Sequence, residues 1–256
     1  MDLVHHYIPE RIVIRHIGIN APFHWLSMAV NDMRRAPLAS LFYGCAFVVM
    51  GYILNAFSAH RPEYVVSWMT VFLLAGPFLS IGLYDVAHRI ERRGRAELIP
   101  TLTAWKSNLP SFTLYAALLA VLVFAWLRVS LLIFALFYTE SVPTLEILWS
   151  QALGPDNATF VIAYLGVGYF FALAVFALSV VSIPMMLDRE VDAITAMLAS
   201  LRAAYTNIVP MIVWAGLIVG LTVLGFALYT IGLALFAPLI ALASWHAYRD
   251  LIEYTH

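Results

Sequence analysis

Seven side chains in this chain have types and positions that could do chemistry. Asp85, His88, Asp188, Asp192, His246 and Asp250 combine carboxylates with imidazoles, and Arg128 is a lone cation in an apolar stretch. An imidazole titrates near neutral pH, so beside carboxylates it can relay protons or help hold a cation. A charge inside a membrane segment is costly and usually faces a bundle interior or water. Each residue also has a plainer reading. The six can cap helix ends and pair with nearby arginines at the water interface. Arg128 can snorkel to the outer interface, pair with Glu140, or hold its span in register.

Nothing in their spacing is a recognised catalytic or metal signature. There is no HExxH, no GxSxG, no Walker loop and no GxGxxG ahead of a strand. No histidine falls in the middle of an apolar span, where haem between membrane helices would need its axial ligands. The lone Cys45 allows no intrachain disulfide and no CxxC site. The expectation is therefore no enzyme, no cofactor and no metal.

These residues must be positioned by elements suited to lipid. The 256-residue chain is 63% hydrophobic and 11% charged, with a mean hydropathy of +0.88. A soluble domain carries about 25% charged residues. The apolar excess needs a solvent other than water, and a bilayer is the expected contact. Net charge is −1, which offers no basis for nucleic acid. The first twenty residues lack the apolar core and cleavage site of a signal peptide. No linker or charge block divides 1–256, so one membrane domain is expected, with 1–21 as a tail.

Spans of about 20 apolar residues are predicted near 38–57, 65–87, 111–138, 159–187, 208–228 and 230–247. The run 208–247 is about 60 Å of helix at 1.5 Å per residue, or two crossings. Its weak turn signal, Tyr229-Thr230 with Gly232, sets the split. Arginine and lysine then fix orientation. Arg11, Arg15, Arg34, Arg35, Arg89, Arg92, Arg93, Arg95, Lys106, Arg189, Arg202 and Arg249 share one side, twelve of fourteen basic residues. Only Arg61 falls opposite, and Arg128 lies within a span. Both termini are expected in the cytoplasm.

The cytoplasmic segments carry a pattern of their own. Leu26, Val30 and Met33 share a helical face ahead of span one, with Asn31, Asp32, Arg34 and Arg35 polar. Val191, Ile194, Leu198, Leu201 and Tyr205 repeat that spacing ahead of span five, and 98–108 is a shorter version. Each reads as an interfacial amphipathic helix. Each enters the membrane through a proline, Pro37, Pro110 or Pro210, which suits a first helical turn. The even spans match too: Asp85, Asp188 and His246 start their cytoplasmic ends, eight residues after Pro77, Val180 and Pro238. The expected fold is all-α: a polytopic bundle of six transmembrane helices in three pseudo-repeats, each preceded by a cytoplasmic interfacial helix.

Several motifs carry a resemblance to a known family. They are Trp25-Leu26…Asp32…Ala36-Pro37, Gly76-Pro77…Gly82-Leu83-Tyr84-Asp85 and Trp126-Leu127-Arg128. They continue in Ile183-Pro184…Leu187-Asp188-Arg189…Asp192-Ala193 and Trp245-His246-Ala247-Tyr248-Arg249-Asp250. From about Phe23 to Glu253 the chain resembles the bacterial integral membrane proteins of domain-of-unknown-function family 2189. That resemblance implies the bacterial inner membrane and no activity. Two functions are expected to compete: an accessory, scaffold or assembly factor of a membrane complex, or a transporter or channel using Arg128 and the Asp/His cluster.

Overall fold

A proline at a membrane entry turns the first helix pair sharply. The computed structural model describes residues 11–60, 65–137, 158–189 and 191–255, with backbone alone at 54, 55, 57–60 and 65–78. Expectations for Arg61, Glu140 and the Pro77 side chain fall outside the described residues. In chain order the elements are β1 (Arg11–Ile14), α1 (Ala21–Arg35), α2 (Pro37–His60), α3 (Val65–Arg93) and α4 (Leu98–Thr101). A 3-10 turn (Ala104–Lys106) leads to α5 (Leu109–Phe137), α6 (Ala158–Ser179), α7 (Ser182–Arg189), α8 (Ala193–Thr206), α9 (Ile208–Ala227), α10 (Leu233–Leu251) and β2 (Ile252–Thr255).

Between α1 and α2, Ala36 leaves helical geometry (φ −131°, ψ 61°) ahead of Pro37, as steric conflict with a following proline demands. The two helices are bent by 109°. Asn207 (φ −124°, ψ 44°) also leaves helical geometry between α8 and α9, although Ile208 follows it and the entry proline, Pro210, lies in the first turn of α9. The long run 208–247 breaks at residues 228–232, where Tyr229 and Thr230 take left-handed φ values of 55° and 67°. Such values are strained for a β-branched residue, and they mark the turn that the Tyr-Thr-x-Gly signal predicts.

Among the described residues, three stretches are long and apolar enough to cross a bilayer: Leu109–Phe137, Ala158–Arg189 and Ile208–Ala227. The bent pair α1–α2 passes the same test only when taken together, making up to four. α10 is not among them, because Trp245, His246, Tyr248, Arg249 and Asp250 fill its last turns.

One expectation needs correcting. The tail is not free from residue 11 onward. β1 pairs antiparallel with β2, Arg11 opposite Thr255 and Ile14 opposite Ile252. Alternating β-branched residues suit such a ribbon, and its two strands lie at opposite ends of the chain. α1 buries Pro22, Trp25, Ala29 and Asp32 against the bundle, with Leu26 and Met33 packed beside them, while Phe23 and Val30 are exposed. α8 buries Ala193, Ala196, Met197, Ala199, Ser200 and Ala203, while Ile194, Leu198, Leu201 and Tyr205 face outward. Asp32 is 5% exposed.

Small residues let the helices approach closely. In lipid no hydrophobic gain drives helix against helix, so close backbone packing carries the association. A Cβ on Gly44 of α2 would fall on the carbonyl of Ala234 in α10, and one on Gly51 would meet the Thr230 methyl. A Cβ on Gly82 of α3 would strike the Tyr43 ring from α2. Tyr43 is buried, and its hydroxyl shares a 3.0 Å hydrogen bond with Thr101, so the ring ties α4 to the α2–α3 pair.

Gly44→Ala is expected to destabilise the protein by about 1–3 kcal/mol through overpacking. Gly220→Ala has open space at its Cβ and is expected to leave stability unchanged. Thermal unfolding of both variants in detergent checks the contrast.

Candidate functional site

The last turns of α10 place five chemically active side chains on three faces, because successive helical residues are rotated by about 100°. His246 and Asp250, four apart, face α1. Trp245 and Arg249, four apart, face α3. Tyr248 faces α7. The structure thus gathers the C-terminal ends of α3, α7 and α10 with α1 at one charged end of the bundle.

Toward α1, His246 Nε2 lies 2.7 Å from Asp32 Oδ2, and the Trp25 indole N–H donates to Asp250 Oδ2 at 2.6 Å. Trp25 also meets Trp214 edge-on at 5.6 Å, linking α1 to α9. Toward α3, the Trp245 N–H donates to Glu91 Oε2 at 3.0 Å. Arg249 donates to Glu91 Oε1 from Nε at 3.0 Å and holds it with an Nη2 contact of 2.8 Å. Toward α7, the Tyr248 hydroxyl donates to Asp188 Oδ2 at 2.7 Å and lies 3.0 Å from the Tyr254 hydroxyl in β2.

Asp188 is the centre of this arrangement, with its side chain 5% exposed. Besides Tyr248 it faces Arg189 Nε at 3.4 Å, Arg249 Nη1 at 3.5 Å, Arg92 Nη2 at 3.7 Å and His88 Nδ1 at 3.9 Å. The His88 ring stacks on Trp245 at 5.1 Å and 27°, and its Nδ1 is buried without a hydrogen-bond partner. Asp85, one turn earlier, accepts from Arg89 Nε at 2.6 Å.

Burial shapes the titration of these groups. It lowers the His88 pKa, with Arg92 acting in the same direction against Asp188, Asp85 and Glu91. It drives Tyr248 far above the ordinary tyrosine range, with Tyr254 and Asp188 adding to the shift, so its hydroxyl stays a donor. For Arg249, burial disfavours the charge, but Glu91 and Asp188 outweigh it and raise the pKa.

The seven residues singled out in the sequence therefore separate. Asp85, His88 and Asp188 come together between α3 and α7. His246 and Asp250 lie on the α1 side of α10. Asp192 stands apart as the N-cap of α8, where its Oδ1 accepts from the Thr195 N–H at 2.9 Å and this bonding lowers its pKa. Arg128 is exposed on α5, with no ion pair among the described residues. No group of three potential metal ligands occurs among the described residues. Sequence reasoning missed Trp25, Asp32, Glu91 and Tyr248. The i, i+4 pairs at 245/249 and 246/250 were the available signal.

Two outcomes follow from this geometry. Tyr248→Phe removes a hydrogen bond to a buried carboxylate and is expected to cost about 1.5–3 kcal/mol, whereas Tyr205→Phe, at a residue 78% exposed, costs nothing measurable by the same unfolding assay. A histidine whose folded pKa is lowered gives stability that is complete above its unfolded pKa, about 6.5. That stability is lost as pH falls through the folded value. The melting temperature should therefore drop as pH falls below about 6.5, and His88→Phe, which keeps the stacked ring, should flatten that part of the profile.

No curated protein and no solved structure matches the chain. A family model matches residues 65–188, under the description predicted integral membrane protein (DUF2189). The match begins with α3 and ends at Asp188, within the Phe23–Glu253 reach of the motifs. Residues 65–188 are thus similar to the DUF2189 predicted integral membrane proteins, and the apolar helices long enough to span agree with a multi-pass protein integral to the membrane.

Proposed function

We propose that this protein is a non-catalytic accessory, scaffold or assembly factor of a membrane complex. It is built from six spans in three units, with both termini in the cytoplasm of a bacterial inner membrane. The observation that carries this reading is how the charged end spends its polar groups. Asp32, Glu91, Asp188 and Asp250 each bind a side chain from another helix or strand. That is the behaviour of a clamp, which an active site or ion path would have to break open.

Arg128 supports the same view. It lies exposed on α5, outside the cluster. Large apolar faces remain for lipid or a partner: only 22% of the spanning window is buried in α5 and in α9.

Support for three units comes from packing. α1 packs on α10, α4 and the 3-10 turn pack on α3, and α8 packs on α6 and α7. In each case a lead-in helix sits on the even span of the preceding unit, cyclically. Two entry asparagines repeat a role as well. Asn108 donates to the carbonyls of Met186 and Val191 at 3.1 and 2.9 Å. Asn207 accepts from the Ile17 N–H at 2.9 Å and donates to the Arg15 carbonyl at 3.0 Å. Each pins the segment leading into another unit's lead-in helix.

The test is native purification in mild detergent with mass spectrometry of co-purifying proteins. A stoichiometric membrane partner is expected. Recovery as a monomer or homo-oligomer, with solute or ion flux in vesicles that Arg128→Ala abolishes, would replace this reading with that of a transporter.

A further inference from the structure

A groove opens at the charged end between α1, α3 and α10, with a volume of about 350 Å³. This is the low end of small-ligand pockets. Its charged walls are Asp32, Arg35, Glu91 and Arg249, and Met28 and Ile90 supply apolar surface. Two carboxylates and two guanidiniums leave the groove with no formal net charge. Such a lining disfavours a bare anion or a bare cation and suits a ligand carrying both signs.

The four charges are not equally committed. Glu91 and Arg249 hold each other at 2.8 Å. Asp32 uses Oδ2 on His246, and its Oδ1 has no hydrogen bond among the described residues. Arg35 is exposed and has no ion pair among the described residues. The uncommitted groups, one guanidinium and one carboxylate oxygen, lie one turn apart on the same face of α1.

We propose that this groove binds a small zwitterion, with its phosphate on Arg35 and its ammonium on Asp32, the chemistry of a phosphoethanolamine headgroup. A guanidinium takes phosphate through two parallel N–H bonds, and a carboxylate oxygen beside apolar surface takes an ammonium. Two sources share this chemistry, a free phosphoethanolamine and an ethanolamine phospholipid. The lipid source rests on the six-span reading, in which α1, bent by 109° from α2, lies along the bilayer surface at headgroup depth. The zwitterion preference rests on the groove alone.

The experiment is calorimetric titration of the purified full chain in a maltoside detergent. The probes are phosphoethanolamine, dihexanoyl phosphatidylethanolamine, inorganic phosphate and ethanolamine. At least one zwitterion is expected to bind, each single-charge probe about tenfold or more weaker. Arg35→Gln should weaken zwitterion binding by a similar factor at an unchanged melting temperature. Binding of both zwitterions supports the site with a soluble source open to it, and binding of the lipid alone supports it as a headgroup site. The proposal is overturned if neither zwitterion binds, if phosphate binds as tightly as the zwitterions, or if Arg35→Gln binds as the wild type does. None of these outcomes depends on whether a partner protein co-purifies.

Discussion

The carboxylate of Asp188 is taken out of water, and that desolvation must be compensated. An uncompensated buried charge costs several kcal/mol. Here the compensation arrives from four side chains: Tyr248 and Arg249 on α10, Arg92 on α3, and Arg189 beside it. None of these donors can do its part unless α3, α7 and α10 end at one level. The buried charge thus works as a register mark for three helices. Tyr248 carries it one step further, to Tyr254 in β2, and the ribbon ties that strand to the other end of the chain through β1.

Packing away from that end follows a different rule. Gly44, Gly51 and Gly82 have no room for a Cβ, and what they contact is backbone or a fixed side chain. Van der Waals contact at short range replaces the hydrophobic drive that lipid removes. The polar register at one end and the small-residue contacts along α2 solve one problem by separate means. The first selects which helices end together, and the second sets how near they come.

Much of this was legible in the sequence. Hydropathy located the helices, Pro37 marked a bend, and Tyr229-Thr230 with Gly232 marked the break in the longest apolar run. The ribbon was not legible, because its strands lie at the two ends of the chain and each is four residues long. Asp192 and Asp188 look alike in sequence, yet one caps a helix in water and the other is buried. The difference lies in neighbours from α3 and α10 that spacing along one helix cannot reveal. Arg128 was ambiguous for a related reason: apolar residues surround it along the chain whichever way α5 turns.

The outward apolar stripe of α8 shows where a rule for soluble proteins misleads. In water, the large apolar stripe of a surface helix points to the core. Here the stripe Ile194, Leu198, Leu201 and Tyr205 points outward, and alanines and Ser200 point inward. Ser200 shows why. Its hydroxyl donates to the Ala177 carbonyl at 2.7 Å and accepts from the Val181 N–H, just where the helix ladder breaks between α6 and α7. Only a small residue reaches that break, so the inward face must be small. The bulk left over on α8 then needs an apolar medium outside. Because α8 runs into the long apolar helix α9 through a single residue, Asn207, the bilayer interface supplies that medium on the proposed six-span reading.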